Sequence, residues 1–127
     1  MIRRIVSEKA PKVIGPYSHA SVAGGFLFSA GQIGINPASG KLEDGFERQA
    51  RQTLENLKSV LSGENLSFAD VVKTTIFLAN MDDYPLLNKI YSEYFTTDFP
   101  SRSAVQVTKL PAGALLEIEL VAHLGNE

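Results

Sequence analysis

The sequence predicts an α+β fold: a mixed six-stranded β-sheet with two α-helices packed on one of its faces. Three observations carry that expectation. Short runs rich in β-branched and aromatic residues are set apart by Gly, Pro and Asn turn residues. Two longer segments place apolar residues at helical spacing. In chain order the elements read β-β-β-α-β-α-β-β, with no internal repeat and no long linker. The 127 residues suit one domain, taken as 1–127.

Ile2 to Val6 alternates apolar and basic residues and reads as an edge strand. Ala10 to Ser18 holds Pro11, Gly15 and Pro16 and reads as an ordered loop. His19–Ala23 and Phe26–Ala30 flank Gly24-Gly25, which predicts a hairpin with a primed turn. Gly31-Gln32-Ile33-Gly34 follows. Glycine at 31 serves either a backbone conformation closed to other residues or the approach of a ligand to the main chain. Asn36–Gly40 is turn chemistry.

A helix is expected from about Asp44 to Leu61, with Phe46, Ala50, Leu54, Leu57 and Leu61 on its apolar face. Glu47, Arg48, Arg51, Glu55 and Lys58 then face water, Glu47 and Arg51 forming an i,i+4 pair. Gly63 ends the helix. Phe68 to Ala79 holds the β-branched run V-V-K-T-T-I-F-L. Asn80-Met81-Asp82-Asp83 breaks that strand and caps a second helix, from about Tyr84 to Phe95. Pro85 is tolerated there because it lies in the first turn. Asn88, on this helix, reads as a solvent-facing polar residue.

The chain closes on two strands, from about Arg102 to Thr108 and from about Ala114 to His123, joined by a loop with Pro111 and Gly113. Strict alternation puts Leu116, Ile118, Leu120 and Ala122 on one face of the last strand and Glu117 on the other. Alternation in the preceding strand groups Arg102, Ala104 and Gln106 apart from Val105 and Val107. Arg102 and Glu117 are therefore expected on the same, less apolar face. Read from residues alone, they form a cross-strand ion pair worth about 0.2–1 kcal/mol. Read as a site, the arginine is a fork for a carboxylate and the glutamate a base for water. The uncovered face is expected to carry Val71, Lys73, Thr75, Phe77, Ala104, Gln106, Leu115, Glu117, Glu119 and Val121. It is too apolar for water and too polar for an ordinary core, which argues for an assembly of identical subunits.

Composition narrows the function. The net charge of -2 offers no general attraction to nucleic acid. The absence of cysteine excludes disulfides, thiol catalysis and Cys-ligated metal. No apolar run reaches membrane-spanning length, so a cytoplasmic protein is the default expectation. His19 and His123 have no partners at ligand spacing, so no metal site is expected.

Pro100-Ser101-Arg102, Leu110-Pro111 and Leu116-Glu117-Ile118 resemble the signature of the RidA family, also called YjgF or reactive intermediate deaminase. The resemblance runs through Ala10-Pro11, Ile14-Gly15-Pro16-Tyr17-Ser18, Gly31-Gln32-Ile33, Gln49-Ala50-Arg51-Gln52, Asn56-Leu57 and Val72-Lys73-Thr74-Thr75, over nearly the whole chain. It implies a chorismate mutase-like (YjgF-like) fold and a homotrimer with barrel-like packing of the sheets and sites between subunits. It implies cofactor-free hydrolysis of carboxylate-bearing enamines and imines, such as 2-aminoacrylate, to 2-keto acids and ammonia. By the same resemblance Arg102 clamps the carboxylate bidentately and Gly31 adds an amide donor. Glu117 handles the water and its protons, and Tyr17 lines the pocket. Without the resemblance Tyr17 reads as a ring capping an apolar edge. Asn88 stands near a neighbouring subunit's pocket, and the backbone carbonyl of Ala104 accepts from the substrate nitrogen. Relatives often carry Ser before the glycine and some carry Cys at 104; Ala30 and Ala104 here mean that neither side chain is required. Two other classes stay open: a regulatory module that binds carboxylates without turnover, and RNA cleavage. The acidic balance and lack of a basic stripe count against the second.

Overall fold

The computed structural model describes residues 1–125. Its elements are β1 (Arg3–Ile5), β2 (Ala20–Ala23), β3 (Phe26–Ser29), α1 (Gly45–Ser62), β4 (Val71–Leu78), α2 (Tyr84–Tyr94), β5 (Ser101–Gln106) and β6 (Leu116–His123). They form one six-stranded sheet in the order β1-β2-β3-β6-β4-β5. The pairing is antiparallel except between β4 and β5, which run parallel. The crossover that makes them parallel is α2, as a parallel pair requires. Gly24 and Gly25 both sit at positive φ (59° and 84°), which the primed hairpin turn between β2 and β3 demands.

Both helices cover the same face. Leu54, Leu57 and Leu61 of α1 and Leu87 and Ile90 of α2 are fully buried against Leu27, Ile76, Leu78, Leu116 and Ile118 of the sheet. Each such side chain contributes roughly 1.5–3 kcal/mol by leaving water. Among the described residues no helix is long and apolar enough to cross a membrane.

Gly63 caps the C-terminus of α1 as expected, in an ordinary right-handed conformation (φ −61°), and the left-handed residue that turns the chain is Asn65 (φ 59°). Two local readings of the sequence need correction. In β4 the register slips between Val71 and Lys73, which oppose the consecutive residues Ala122 and Val121. The extra residue is a β-bulge. It puts Val71 in the core, not on the open face. In β5 the faces are opposite to expectation. Arg102 pairs with Thr74 and Ala104 with Ile76, and both partners point towards the helices. Ala104 accordingly packs against the core. The open face instead carries Phe28, Lys73, Thr75, Phe77, Val105, Glu117, Glu119 and Val121, with Phe28 and Val105 each 47% exposed.

Candidate functional site

Glu117 is aimed by its own strand. Leu116 and Ile118 enter the core, so the residue between them projects to the open face, where it is half-buried. Beside it, Gln32 and Ile118 exchange two backbone bonds, Gln32 N–H donating to Ile118 O (2.9 Å) and Ile118 N–H to Gln32 O (3.0 Å). That bridge lays Gly31 against the glutamate. A Cβ on Gly31 would collide with Glu117 Oε2 and stand 2.7 Å from Cδ. Its φ is not in the left-handed region, so the glycine is needed for room rather than for conformation. The Gly31 N–H makes no hydrogen bond among the described residues.

The same cleft, about 60 Å³, is lined by Tyr17, Lys12, Ile14, Ile33 and Pro111 beside Gly31 and Glu117. Burial holds the Glu117 carboxyl above the usual carboxylate range, and the neighbouring Glu119 pushes the same way.

The surrounding loops are fixed by buried polar side chains. His19 is 1% exposed; its Nδ1 accepts from Ser7 N–H (2.8 Å) and its Nε2 donates to Pro11 O (2.7 Å). Those partners specify a neutral imidazole that ties down the loop carrying Tyr17. His19 is a structural residue of this loop. Asn56 donates from Nδ2 to Ile33 O and Ile35 O (both 3.0 Å), and Gln49 donates to Glu43 O (3.0 Å) while accepting from Leu115 N–H (2.8 Å). These two motif residues of α1 hold the loop after Gly31 and the entry to β6.

Arg102 belongs to a second constellation. Its Nη2 donates to Asn88 Oδ1 (2.7 Å) and to Tyr84 Oη (2.8 Å). Its guanidinium carbon lies 4.8 Å from the Tyr91 ring centroid and 5.4 Å from that of Tyr84. Tyr91 is fixed in turn by a 2.8 Å bond between its hydroxyl and Thr74 Oγ1. No carboxylate forms an ion pair with Arg102 among the described residues. The result is a caged cation without a counter-ion. Asn88 is therefore not a free surface residue but a partner of Arg102 in its own chain. Beside them, β5 is an edge strand. Val107 N–H donates to Leu78 O (2.9 Å), so by alternation the Ala104 peptide groups face the unpaired edge. The expected two-armed clamp meets an obstacle. Nη2 belongs to both bidentate pairs of a guanidinium, and its two hydrogens are taken by Asn88 and Tyr84.

The structure thus gathers Tyr17, Gly31 and Glu117 in one cleft, and Arg102, Asn88 and the Ala104 edge in another place. The two groups do not meet within one chain. Arg102 faces the helices and Glu117 the opposite side of the sheet. From the register, their Cα atoms are about 14 Å apart in the plane of the sheet. The cross-strand ion pair is not formed. Tyr84 and Tyr91 stand at helical spacing beside the apolar Leu87 and Ile90 of α2. Their spacing with Asn88 (i, i+4, i+7 on α2) was the available signal that they frame one polar contact.

The chain and its fold match known proteins along nearly their whole length. A family model described as Endoribonuclease L-PSP matches residues 7–124. The chain is 48% identical over 120 residues to a RutC family protein of Pyrococcus horikoshii, covering 94% of this chain and 95% of that one. It is 44% identical over 127 residues to the human protein named 2-iminobutanoate/2-iminopropanoate deaminase, covering 98% and 93%. The solved structure of Escherichia coli TdcF with bound serine matches with a TM-score of 0.91 at 35% identity, covering 95% of this chain and 98% of the other. With its sheet, its two helices and nearly its whole length matched, the chain belongs to the Endoribonuclease L-PSP family, the RidA (YjgF) family.

Proposed function

We propose that this protein is an enamine/imine deaminase that hydrolyses reactive intermediates such as 2-aminoacrylate to 2-keto acids and ammonia, in sites formed between neighbouring copies of a homotrimer. One observation carries the reading. Two incomplete half-sites, a caged cation without a counter-ion and a raised carboxylate beside a free backbone amide, lie on opposite faces of one sheet. A substrate that needs both requires a second copy of the chain, and a closed ring lets every copy use both halves. The exposed apolar residues of the open face and the unpaired β5 edge support such packing. The name of the human relative and the serine bound to TdcF, an amino acid with a carboxylate and an amine, support the substrate class.

In this reading Arg102 receives the substrate carboxylate and the Gly31 amide donates to the same group. An enamine first tautomerises to the imine. Glu117 then takes a proton from water as its oxygen bonds to the imine carbon, and returns that proton to the nitrogen. The resulting carbinolamine gives up its hydroxyl proton, which Glu117 passes to the same nitrogen as the C–N bond breaks, releasing ammonia and leaving the keto acid. Tyr17 closes the cleft and its hydroxyl assists proton transfer. The Ala104 carbonyl accepts from the substrate nitrogen. The imine carbon is itself electrophilic, so this sequence of steps calls for no cofactor and no metal.

The test is release of ammonia and keto acid from enzymatically generated 2-aminoacrylate, with wild type and Arg102→Ala side by side. Rapid release by wild type and near-background release by the variant is the expected result. No acceleration by wild type would contradict the deaminase reading and favour carboxylate binding without turnover. A steeply salt-dependent RNA affinity would instead favour RNA cleavage.

A further inference from the structure

We propose that Tyr84 is a substrate-binding residue whose hydroxyl supplies the second arm of carboxylate recognition, with Arg102 contributing one arm rather than two. The inference rests on the reading of Arg102 as the carboxylate's receiver and sharpens it. A guanidinium grips a carboxylate bidentately through Nη2 together with either Nε or Nη1. Here Nη2 has two hydrogens and two acceptors, Asn88 Oδ1 at 2.7 Å and Tyr84 Oη at 2.8 Å. Both fork pairs therefore have one arm spent inside the protein. Nε and Nη1 have no partner among the described residues.

Tyr84 can replace the missing arm. Its oxygen accepts from Nη2, so its own proton points elsewhere, and that proton has no acceptor among the described residues. Two acceptors placed on neighbouring arms of one guanidinium lie within hydrogen-bonding reach of each other. A carboxylate oxygen received on the arm next to Nη2 thus comes beside the phenol, which donates to it. Tyr84 becomes a relay from Nη2 to the ligand. The cage keeps this arrangement in register: the Tyr91 ring supports the guanidinium at 4.8 Å, and Tyr91 is itself anchored to Thr74 on β4. The Tyr84 ring contributes its own face at 5.4 Å, a contact that phenylalanine retains.

Tyr84→Phe separates the two modes of recognition because they predict opposite signs. Calorimetric titration with pyruvate as probe should show about tenfold weaker binding to the variant than to wild type, since a bond to a charged group is lost. In turnover of 2-aminoacrylate the loss should fall on KM, with kcat nearly unchanged. If Arg102 works as a two-armed fork, removing the phenol frees Nη2, and the variant binds pyruvate as well as or better than wild type; that result overturns the inference. The outcomes also separate it from the deaminase reading. Wild-type turnover with an unaffected Tyr84→Phe overturns this inference alone. Pyruvate binding that weakens in Tyr84→Phe without any wild-type turnover overturns the deaminase reading alone. Wild type that turns over without binding pyruvate overturns this inference alone, and wild type with neither pyruvate binding nor turnover overturns both.

Discussion

The carboxylate of Glu117 occupies the space that a β-carbon on Gly31 would need. The pairing explains why a loop residue and a strand residue far apart in sequence form one feature. Gly31→Ala has one inexpensive escape, a swing of the flexible glutamate away from the loop. The fold should tolerate it, with a stability loss under about 1.5 kcal/mol, comparable to a modest overpacking. Deaminase activity should fall on the order of 10²-fold, the lower range for a displaced acid–base group. Activity assays beside chemical denaturation check the two halves of this statement. Equal losses in both would contradict it.

Glu117 should weaken the fold it serves. Its carboxyl is raised by burial and by Glu119, so the folded state holds the proton more tightly than the unfolded chain does. The stability the group contributes is therefore fully present below the ordinary value of 4.5 and is lost as pH rises through the higher folded value. Glu117→Gln should raise the midpoint of thermal unfolding at pH 7, and the difference should vanish below about pH 4. Melting curves at the two pH values decide it, and a variant less stable than wild type at pH 7 would contradict the account.

The same shift governs the rate. A base must be ionised to accept a proton from water, so the acid limb of the kcat/KM profile should lie above the usual carboxylate range. Glu119 is the smaller of the two causes. Glu119→Gln should move the limb down slightly without abolishing activity, whereas Glu117→Gln should remove the activity itself. The profile of kcat/KM against pH for the three proteins is the check.

Asn56 carries no chemistry but bears the loop that does. It is 1% exposed, donates to two backbone carbonyls and accepts from Gln52 Nε2 at 2.8 Å. Asn56→Ala strands both carbonyls, which should cost about 2–4 kcal/mol at the usual penalty for unmade buried bonds. Denaturant unfolding at fixed protein concentration measures it. A loss below about 1 kcal/mol would show that water replaces the amide.

Much of this was legible in the sequence. The order of strands and helices, the Gly24-Gly25 turn and the inward face of β6 follow from alternation and helical spacing. Tyr17, Gly31 and Glu117 do share a cleft. The relation of Arg102 to Glu117 was not legible, for two physical reasons. β5 is an edge strand with no fully buried residue, so its alternation of Arg102, Ala104 and Gln106 against Val105 marks no core side. Its true phase is set by the parallel register with β4, which depends on the α2 crossover. In β4 the bulge after Val71 reverses the phase of the strand's first residue, and nothing in V-V-K-T-T announces an inserted residue. The cage around Arg102 was missed because tyrosines at helical spacing look like ordinary apolar packing.

The central claim is that each site combines the Arg102 of one copy with the Glu117 of another, and subunit mixing tests it directly. Arg102→Ala and Glu117→Gln should each be inactive when assembled alone. Unfolded together in equal amounts and refolded, they should recover about a quarter of wild-type activity, the share of neighbouring pairs in which both halves are intact. Activity that stays at the level of the separate variants, with mixed assemblies demonstrably formed, would contradict a site shared between copies.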